Sequence, residues 1–270
     1  MVGVRAVVGV EMRETLVNGL WPLKLPSSRA AQWSAWMADR GGWELERLNS
    51  MEALIRPGMI VHEIGSEEGD ISALCARWSE RVITGYSTGP PQRAVWHEVP
   101  QGGVVLFEPD ARVWPNIRAI FEANHLSTPL ASVVGFAGDV DRKVGVETTW
   151  PACASGPIID DHGFCHLSER PDIPAVRIDT VAETYPPDAI TIDVEGSELR
   201  VILGAQQTLR EHRPIVWISV HPDFMRDLYG DSPQDLHAVM VDCGYEAYHL
   251  ATDHEQHWLY KPKGAADAAP

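Results

Sequence analysis

The sequence has few basic residues. It carries 22 lysines and arginines against 38 aspartates and glutamates among 270 residues, which gives a formal net charge of −16 at pH 7. Proteins bind a nucleic-acid backbone through clustered Lys and Arg, so this balance argues against a nucleic-acid partner. It favours a neutral or cationic small substrate, and it leaves room for a local basic patch.

Long apolar runs and closely paired cysteines are also missing. No apolar stretch approaches the roughly 20 residues that span a bilayer, so no membrane partner is expected. The apolar N-terminus is short, contains Arg5 and is followed by Glu11, which is not the pattern of a signal peptide. The four cysteines are widely spaced along the chain, at Cys75, Cys153, Cys165 and Cys243. We therefore expect a reduced, cytoplasmic protein.

Hydrophobic residues form 44 % of the chain, enough for a substantial core. Apolar, strand-like segments alternate with segments that repeat apolar residues at helical spacing. This alternation predicts an α/β fold with a doubly wound, mainly parallel sheet and a terminal antiparallel hairpin. One helix is expected to follow Asp193 and to carry Leu199 through Leu209.

We divide the chain into three parts. An N-terminal strand and helical extension is predicted to pack on the core or to form a dimer face, and its tryptophans fit either role or a sugar-stacking surface. The main domain follows, and the last residues are expected to be a disordered tail. The ranges are 1–56, 57–263 and 264–270, in that order.

A glycine loop follows the first core strand. It reads Glu63-Ile64-Gly65-Ser66-Glu67-Glu68-Gly69, and apolar residues at helical spacing come directly after it. Strand, glycine loop and helix N-terminus together predict a nucleotide-type ligand site at the carboxyl edge of the sheet. The loop matches neither the Gly-x-Gly-x-x-Gly of dinucleotide enzymes nor a phosphate loop. An acid at the strand end suits a ligand that carries a cation, such as the amino and sulfonium groups of S-adenosylmethionine.

A second strand ends in an acid at Phe107-Glu108-Pro109. A carboxylate at the tip of the strand after a nucleotide loop can accept hydrogen bonds from ribose hydroxyls. More residues separate Glu63 from Glu108 than the usual twenty or so, and we interpret the excess as an inserted loop at roughly 82–103. The alternative interpretation is a strand-end carboxylate that caps the following helix.

The third motif is the most specific. Asp193, Glu195 and Glu198 stand at a strand end and helix start, and the next strand ends at His221. Neighbouring parallel strands lie about 4.8 Å apart, so their carboxyl ends can meet over one pocket. Asp193, Glu195 and His221 are therefore predicted to form one acid–base cluster. The alternative is that the acids only complement a helix dipole.

These motifs resemble the FkbM-type methyltransferases, which are class I S-adenosylmethionine-dependent enzymes. The resemblance rests on Glu63-Ile64-Gly65, Phe107-Glu108-Pro109, Asp193-Val194-Glu195-Gly196-Ser197-Glu198 and Leu203-Gly204-Ala205, and covers about residues 44–225. It implies a Rossmann-like sheet of seven strands, six parallel and one reversed. It also implies an O-methyltransferase that acts on a sugar, glycan or polyketide-type hydroxyl. The chain departs from the family pattern in the first loop, where Glu63 replaces Asp and Ser66-Glu67 replace Ala-Asn.

The resemblance and the motifs together give a set of expected site residues. Those expected to bind S-adenosylmethionine are Glu63, Gly65, Ser66, Glu67, Gly69, Glu108, Pro109, Asp139, Val140 and Asp193, with Asp139 near the adenine. Those expected to act in catalysis are Asp193, His221 and Glu195. The general base is Asp193 or His221, the latter for its ordinary pKa near neutrality. The alternative is a divalent Mg or Mn ion held by Asp193, Glu195 and His221.

Two other functions remain open from the sequence. One is a protein that binds the cofactor or a partner without catalysis, which the substitutions at Glu63 and Glu67 would fit. The other is a nicotinamide-dependent oxidoreductase, against which the missing dinucleotide fingerprint argues. The expected partners are a small-molecule or glycan acceptor and, in one alternative, a second copy of the chain.

Overall fold

A computed structural model describes residues 10–80, 102–143, 145–158 and 173–264. Nearly all of the predicted insertion at 82–103 lies outside these residues, as does the predicted tail after Gly264. The described chain begins with a hairpin of two strands, followed by two helices. They are β1 (Met12–Val17), β2 (Trp21–Pro26), α1 (Ser27–Arg40) and α2 (Leu45–Leu54).

The remaining strands form one large sheet and a short parallel pair. In chain order they are β3 (Ile60–Ile64), β4 (Gly103–Phe107), β5 (Ala131–Val133), β6 (Phe136–Ala137), β7 (Val146–Glu147), β8 (Ala175–Val176), β9 (Ala189–Ile192), β10 (Ile215–Val220), β11 (Tyr245–Thr252) and β12 (Gln256–Pro262). Among the described residues the large sheet has eight strands in the order β11-β12-β10-β9-β3-β4-β5-β7, and β6 pairs with β8.

Helices cover both faces of this sheet. They are α3 (Asp70–Ser79), α4 (Trp114–Ala123), α5 (Ile178–Ala182), α6 (Glu198–Leu203), α7 (Gln206–Glu211), α8 (Pro222–Phe224) and α9 (Pro233–Asp242). A 3₁₀ turn spans Ala152–Ser155, and a π-helical turn at Met225–Tyr229 continues α8. Within the described ranges, no helix combines the length and the apolar character needed to cross a membrane.

The sheet confirms the predicted fold class. Strands β11, β10, β9, β3, β4 and β5 run in one direction, whereas β12 is reversed between β11 and β10. The described chain adds the short β7, antiparallel to β5, at the far edge. The chain passes from β3 outward to β4 and β5, then returns to β9 on the other side of β3. This reversal is a topological switch point, where doubly wound sheets bind ligands beyond the carboxyl ends of their strands.

The single helix predicted after Asp193 is two helices. Gly204 and Ala205 separate α6 from α7, and position 204 requires a glycine because a Cβ there would lie 1.8 Å from the carbonyl oxygen of Gly138. The Asp179 carboxylate then accepts a hydrogen bond from the backbone N–H of Thr208 at 2.8 Å, which satisfies a free donor in the first turn of α7. The close approach and the distant cap depend on tertiary contacts, so helical spacing alone could not predict them.

The N-terminal extension shares the core of the main domain. Alternate residues of β4 face opposite sides of the sheet, so Leu106 joins one hydrophobic cluster and Phe107 the other. The first cluster combines Leu48 of α2 and Trp33 of α1 with Leu74 of α3 and other buried residues of the sheet and of α4. The described part of the extension therefore packs on the core, whereas the domain boundary at residue 57 stays a prediction.

This shared core makes a prediction about stability. Leu48 is fully buried, whereas Leu20 in the turn between β1 and β2 is 55 % exposed. We expect Leu48→Ala to lower the free energy of unfolding by about 2–5 kcal/mol and Leu20→Ala by less than about 0.5 kcal/mol. Urea denaturation followed by tryptophan fluorescence measures both variants. An early, separate transition of the extension in Leu48→Ala would contradict a shared core.

Candidate active site

A cavity of about 670 Å³ opens at the carboxyl edge of the sheet, at the switch point. The segments at the carboxyl ends of β3, β4, β5, β9 and β10 line it, and α1 and α2 line it as well. Most of the residues predicted from the sequence are in this lining: Glu63, Gly65, Ser66, Glu67, Glu108, Pro109, Asp193, Glu195 and His221. The predicted motifs are thus brought together in one place, and their individual binding roles stay predictions.

Three predicted cofactor-binding residues lie outside the lining. Gly69 precedes α3, and a Cβ there would lie 2.9 Å from Cα of Ile117, so helix packing explains this glycine. The Asp139 carboxylate lies 3.9 Å from the Arg200 guanidinium. Val140 is 42 % exposed to solvent.

The ends of β3 and β9 touch at Gly65. This residue has a φ of +87°, and a Cβ on it would lie 1.8 Å from the Asp193 carbonyl oxygen. The backbone N–H of Asp193 donates to the Ile64 carbonyl at 2.9 Å. The N–H groups of Gly65 and Ser66 both donate to the Phe107 carbonyl, at 2.9 and 3.1 Å. The glycine therefore allows the first loop to approach both neighbouring strand ends.

Glu108 connects the second motif to this loop. Its carboxylate accepts hydrogen bonds from the backbone N–H groups of Glu67, at 2.9 Å, and Asp110, at 2.7 Å. Burial raises the pKa of Glu108 to about 8, because it outweighs these two hydrogen bonds. The carboxyl group is thus held at the tip of β4 with its orientation fixed from both sides.

Glu63 is buried beneath the loop. Its carboxyl group accepts a hydrogen bond from the Ser72 hydroxyl of α3. Burial raises the pKa of Glu63 to about 8, although the hydrogen bond opposes this shift. The strand-end acid that suggested a cation-binding loop therefore lies in a poorly hydrated part of the cavity wall.

His221 is surrounded by carboxylates. Its Nδ1 lies 2.7 Å from Glu198, and its Nε2 contacts Glu255 and lies 3.4 Å from Glu195 and 3.8 Å from Asp193. Burial by itself would lower the pKa of His221, but the hydrogen bonds to Glu198 and Glu255 and the nearby charges raise it to about 12. An imidazolium cannot accept a proton, so this environment favours Asp193 or Glu195 over His221 as a general base.

Arg47 of α2 contacts the acidic cluster around His221 through Asp193. This buried guanidinium donates to Asp193 at 3.0 Å, Glu44 at 2.6 Å, Ser219 at 2.6 Å and Thr191 at 3.0 Å. A buried charge needs partners of this kind, because desolvation disfavours it strongly. Arg47 thereby fixes the orientation of the Asp193 carboxylate.

Arg29 of α1 makes a similar set of contacts at the glycine loop. Its Nε donates to Asp70 at 2.7 Å, and its Nη2 lies 3.4 Å from both Glu67 and Asp70. The Trp33 indole N–H also donates to Asp70, at 2.6 Å. Burial opposes ionisation of Asp70, but Arg29 and Trp33 outweigh it and lower the pKa of this carboxyl group.

Aromatic residues from the extension line the cavity beside the turn between β11 and β12. Trp36 and Trp43 stack with ring centroids 4.5 Å apart, and Trp43 stacks on His254 at 3.8 Å. His254 and Glu255 reach this edge because β12 runs antiparallel to β10, with Gln256 opposite Val220. Arg29, Arg47, Glu44 and Glu255 also line the cavity, although no sequence motif predicted them. The hairpin prediction could have located Glu255, because the turn of a hairpin beside β10 lies at the carboxyl edge.

Three groups of described side chains have the spacing of cation ligands. The ligating atoms within each group lie within 4.8 Å of one another, and the groups are Asp193, Glu195 and His221; Glu44, Glu255 and His257; and Asp253, His254 and His257. The first group contains the metal ligands expected from the sequence. In all three groups, however, hydrogen bonds and ion pairs within the chain already engage side chains.

The contact at Gly65 can be tested with a matched glycine. Gly58 has a φ of +102° but meets no atom within 4 Å of an added Cβ, so Gly58→Ala measures backbone strain alone. We expect Gly65→Ala to be less stable than Gly58→Ala by at least about 2 kcal/mol, since its Cβ also displaces the Asp193 backbone. Urea denaturation provides the comparison. Equal losses would mean that the two strand ends can separate freely.

Residues 93–247 match the model of the methyltransferase FkbM domain. The match begins after the glycine loop and continues beyond residue 225, so it differs in extent from the expected 44–225. The altered loop at Glu63 and Ser66-Glu67, together with α1 and α2, lies outside it. A comparison with curated protein sequences gives no match.

Solved structures with a similar chain trace are distant in sequence. Methyltransferase FkbM from Methylobacillus flagellatus KT is 15 % identical, with 84 % of this chain and 60 % of that chain covered and a TM-score of 0.42. A methyltransferase from Pyrococcus furiosus is 12 % identical, with coverages of 88 % and 98 % and a TM-score of 0.43. Precorrin-6y C5,15-methyltransferase from Geobacter metallireducens GS-15 is 9 % identical, with coverages of 80 % and 85 % and a TM-score of 0.42. The domain match includes more than half of the sequence, and the chain therefore belongs to the family of FkbM-domain methyltransferases.

Proposed function

We propose that this methyltransferase uses S-adenosylmethionine to methylate a hydroxyl group of a sugar, a glycan or a polyketide-type small molecule. The observation that carries the proposal is the cavity at the switch point. It joins the glycine loop, the Glu108 carboxyl group and the cluster of Asp193, Glu195 and His221 in one lining. The residues expected to bind the cofactor and the candidate proton acceptors therefore line the same cavity.

The residues that line this cavity fit the cofactor. Its volume of about 670 Å³ lies within the range of small-molecule sites. Glu108 at the tip of β4 would accept hydrogen bonds from the ribose hydroxyls, and residues Gly135 to Ala137 after β5 would flank the adenine. Glu63 and the glycine loop would hold the methionyl end. The cofactor supplies a methyl group activated by a sulfonium centre.

The acids that face the cavity would accept the proton of the acceptor hydroxyl. The side chains of Asp193 and Glu195 are 26 % and 33 % exposed and line the cavity. Both ring nitrogens of His221 face carboxylates, so His221 orients this cluster and does not itself accept the proton. Burial raises the pKa of Glu195 to about 8 against the opposing charge of His221, close to the value that suits a base near neutral pH.

A metal-assisted route is the alternative mechanism. Asp193, Glu195 and His221 have the spacing for a Mg or Mn ion. The Asp193 carboxylate is engaged by Arg47, however, and Nε2 of His221 is engaged by Glu255. An ion would have to displace both contacts, so the geometry favours proton transfer to a carboxylate.

The walls of the cavity suit a ring-shaped acceptor with several hydroxyl groups. Trp36, Trp43, Phe224 and Tyr229 provide flat apolar surfaces in the lining. Carboxylates in the same lining can accept hydrogen bonds from hydroxyl groups. Ligand sites commonly combine such apolar walls with a few polar groups, and this combination supports a sugar or polyketide-type acceptor.

Binding and transfer separate this function from its alternatives. We expect calorimetry to detect binding of S-adenosylhomocysteine and none of NAD. We also expect a screen of sugar and polyketide alcohols to detect transfer of a labelled methyl group. Binding of NAD without S-adenosylhomocysteine would favour the oxidoreductase. Binding of S-adenosylhomocysteine without transfer to any acceptor would favour a cofactor-binding protein that lacks catalysis.

The proposed base can be tested by isosteric substitution. We expect Glu195→Gln to lower kcat on the acceptor found in the screen by about 10²- to 10⁴-fold, because a positioned base contributes about this much. Its affinity for S-adenosylhomocysteine should change little. Glu46→Gln, an exposed position on α2, is the control and should keep full activity. Full activity of Glu195→Gln would exclude this base, and activity that EDTA abolishes and Mg restores would support the metal route.

A further inference from the structure

The glycine loop presents an electrostatic problem for the proposed cofactor. Glu67, Glu68 and Asp70 follow Gly65 within a few residues. These acids suit the ammonium group of a methionyl zwitterion but would repel its carboxylate, since like charges a few ångströms apart disfavour binding. A carboxylate at this loop therefore needs a cationic partner in the cavity.

The order of the strands indicates where that carboxylate would lie. The strand ends meet the cavity in the order β5, β4, β3 and β9, at spacings of about 4.8 Å. With the adenine beyond β5 and the ribose at Glu108 beyond β4, the methionyl group extends toward the loop beyond β3. This placement rests on the proposed function.

We propose that Arg29 of α1 binds the carboxylate of the cofactor's methionyl group. Arg29 lines the cavity beside the loop and is only 7 % exposed. Its Nε is held by Asp70 at 2.7 Å, and its Nη1 donates to Gln32 at 2.7 Å. The contacts of its Nη2, with Glu67 and Asp70, are both long at 3.4 Å. Nη2 is therefore the nitrogen with the weakest bonds and the one able to turn toward a carboxylate.

Asp70 prepares Arg29 for this role. Its carboxylate is fixed by the Trp33 indole at 2.6 Å and by the backbone N–H of Ile71 at 3.0 Å. An oriented guanidinium presents several N–H donors in one plane, a geometry that matches a carboxylate. Binding then requires little reordering of the side chain, which reduces its entropic penalty.

The other cations of the described lining are less suited to this role. Arg47 already donates to four side chains at or below 3.0 Å and lies beneath Asp193. The Arg40 guanidinium lies 5.0 Å from the ring of Trp43. His221 and His254 are paired with acids. Among the described residues that line the cavity, Arg29 is the cation in contact with the loop.

Arg29 lies outside the matched domain, so the proposed carboxylate contact is a feature of this chain's extension. The methyltransferase FkbM domain match begins at residue 93, whereas Arg29 lies in the extension. We infer that α1 compensates for the acidic loop. The extension thereby becomes part of the cofactor site.

The experiment compares two ligands that differ only in the carboxylate. One is S-adenosylhomocysteine, and the other is its analogue in which hydrogen replaces the carboxylate. We expect Arg29→Gln to weaken binding of S-adenosylhomocysteine about 10- to 100-fold, the range for a hydrogen bond to a charged group, and binding of the analogue less than about 3-fold. Arg29→Lys should give an intermediate loss. Arg118→Gln, which removes an ion pair with Glu122 on α4, is the control and should bind both ligands normally.

Isothermal titration calorimetry measures the four proteins, and their melting temperatures report on folding. The ratio of the two affinities tests the proposal even in a less stable variant, and Arg29→Lys supplies this ratio should Arg29→Gln not fold. Equal losses for both ligands, or an unchanged affinity for S-adenosylhomocysteine, would overturn the assignment. Failure of the unmodified protein to bind either ligand would instead overturn the proposed function.

Discussion

The contact between Gly65 and the Asp193 carbonyl is the constraint on which the site depends. It joins the ends of the two strands on either side of the switch point, and only a residue without a Cβ permits it. Because these ends meet, the glycine loop and the acidic cluster face one cavity. If the ends of β3 and β9 lay farther apart, the glycine loop and the acidic cluster would not line one cavity, and the acids of each would face solvent.

Two buried guanidinium groups then attach the N-terminal extension to this edge. Arg29 is held by Asp70, and Arg47 is held by Glu44 and Asp193. Removing one partner of a buried ion pair leaves the other charge desolvated and unpaired, which is strongly unfavourable. The placement of α1 and α2 is therefore coupled to the charge arrangement of the site. This coupling explains why helices outside the matched methyltransferase domain contribute so much of the cavity wall.

The sequence predicted the fold class and the strand-end motifs because both follow from local patterns. Apolar runs that end in an acid or a glycine predict strand ends, and a parallel sheet gathers those ends at one edge. Arg47 could not be found in this way, since it contacts Asp193 across 146 residues of sequence. Its helix is amphipathic, and a charged residue at one of its positions ordinarily indicates a solvated face. The close packing at Gly204 could not be predicted for a related reason, because the carbonyl that approaches it belongs to Gly138.

His221 illustrates how tertiary contacts change the meaning of a residue type. Its ordinary pKa near neutrality made it the attractive base in the sequence. In the fold, Glu198 and Glu255 occupy its two ring nitrogens, while Glu195 and Asp193 lie within 4 Å of Nε2. Four carboxylates this close would repel one another strongly without a cation among them. In the proposed mechanism His221 therefore supplies the positive charge that allows the acids to lie together, and Asp193 and Glu195 are the groups that face the acceptor.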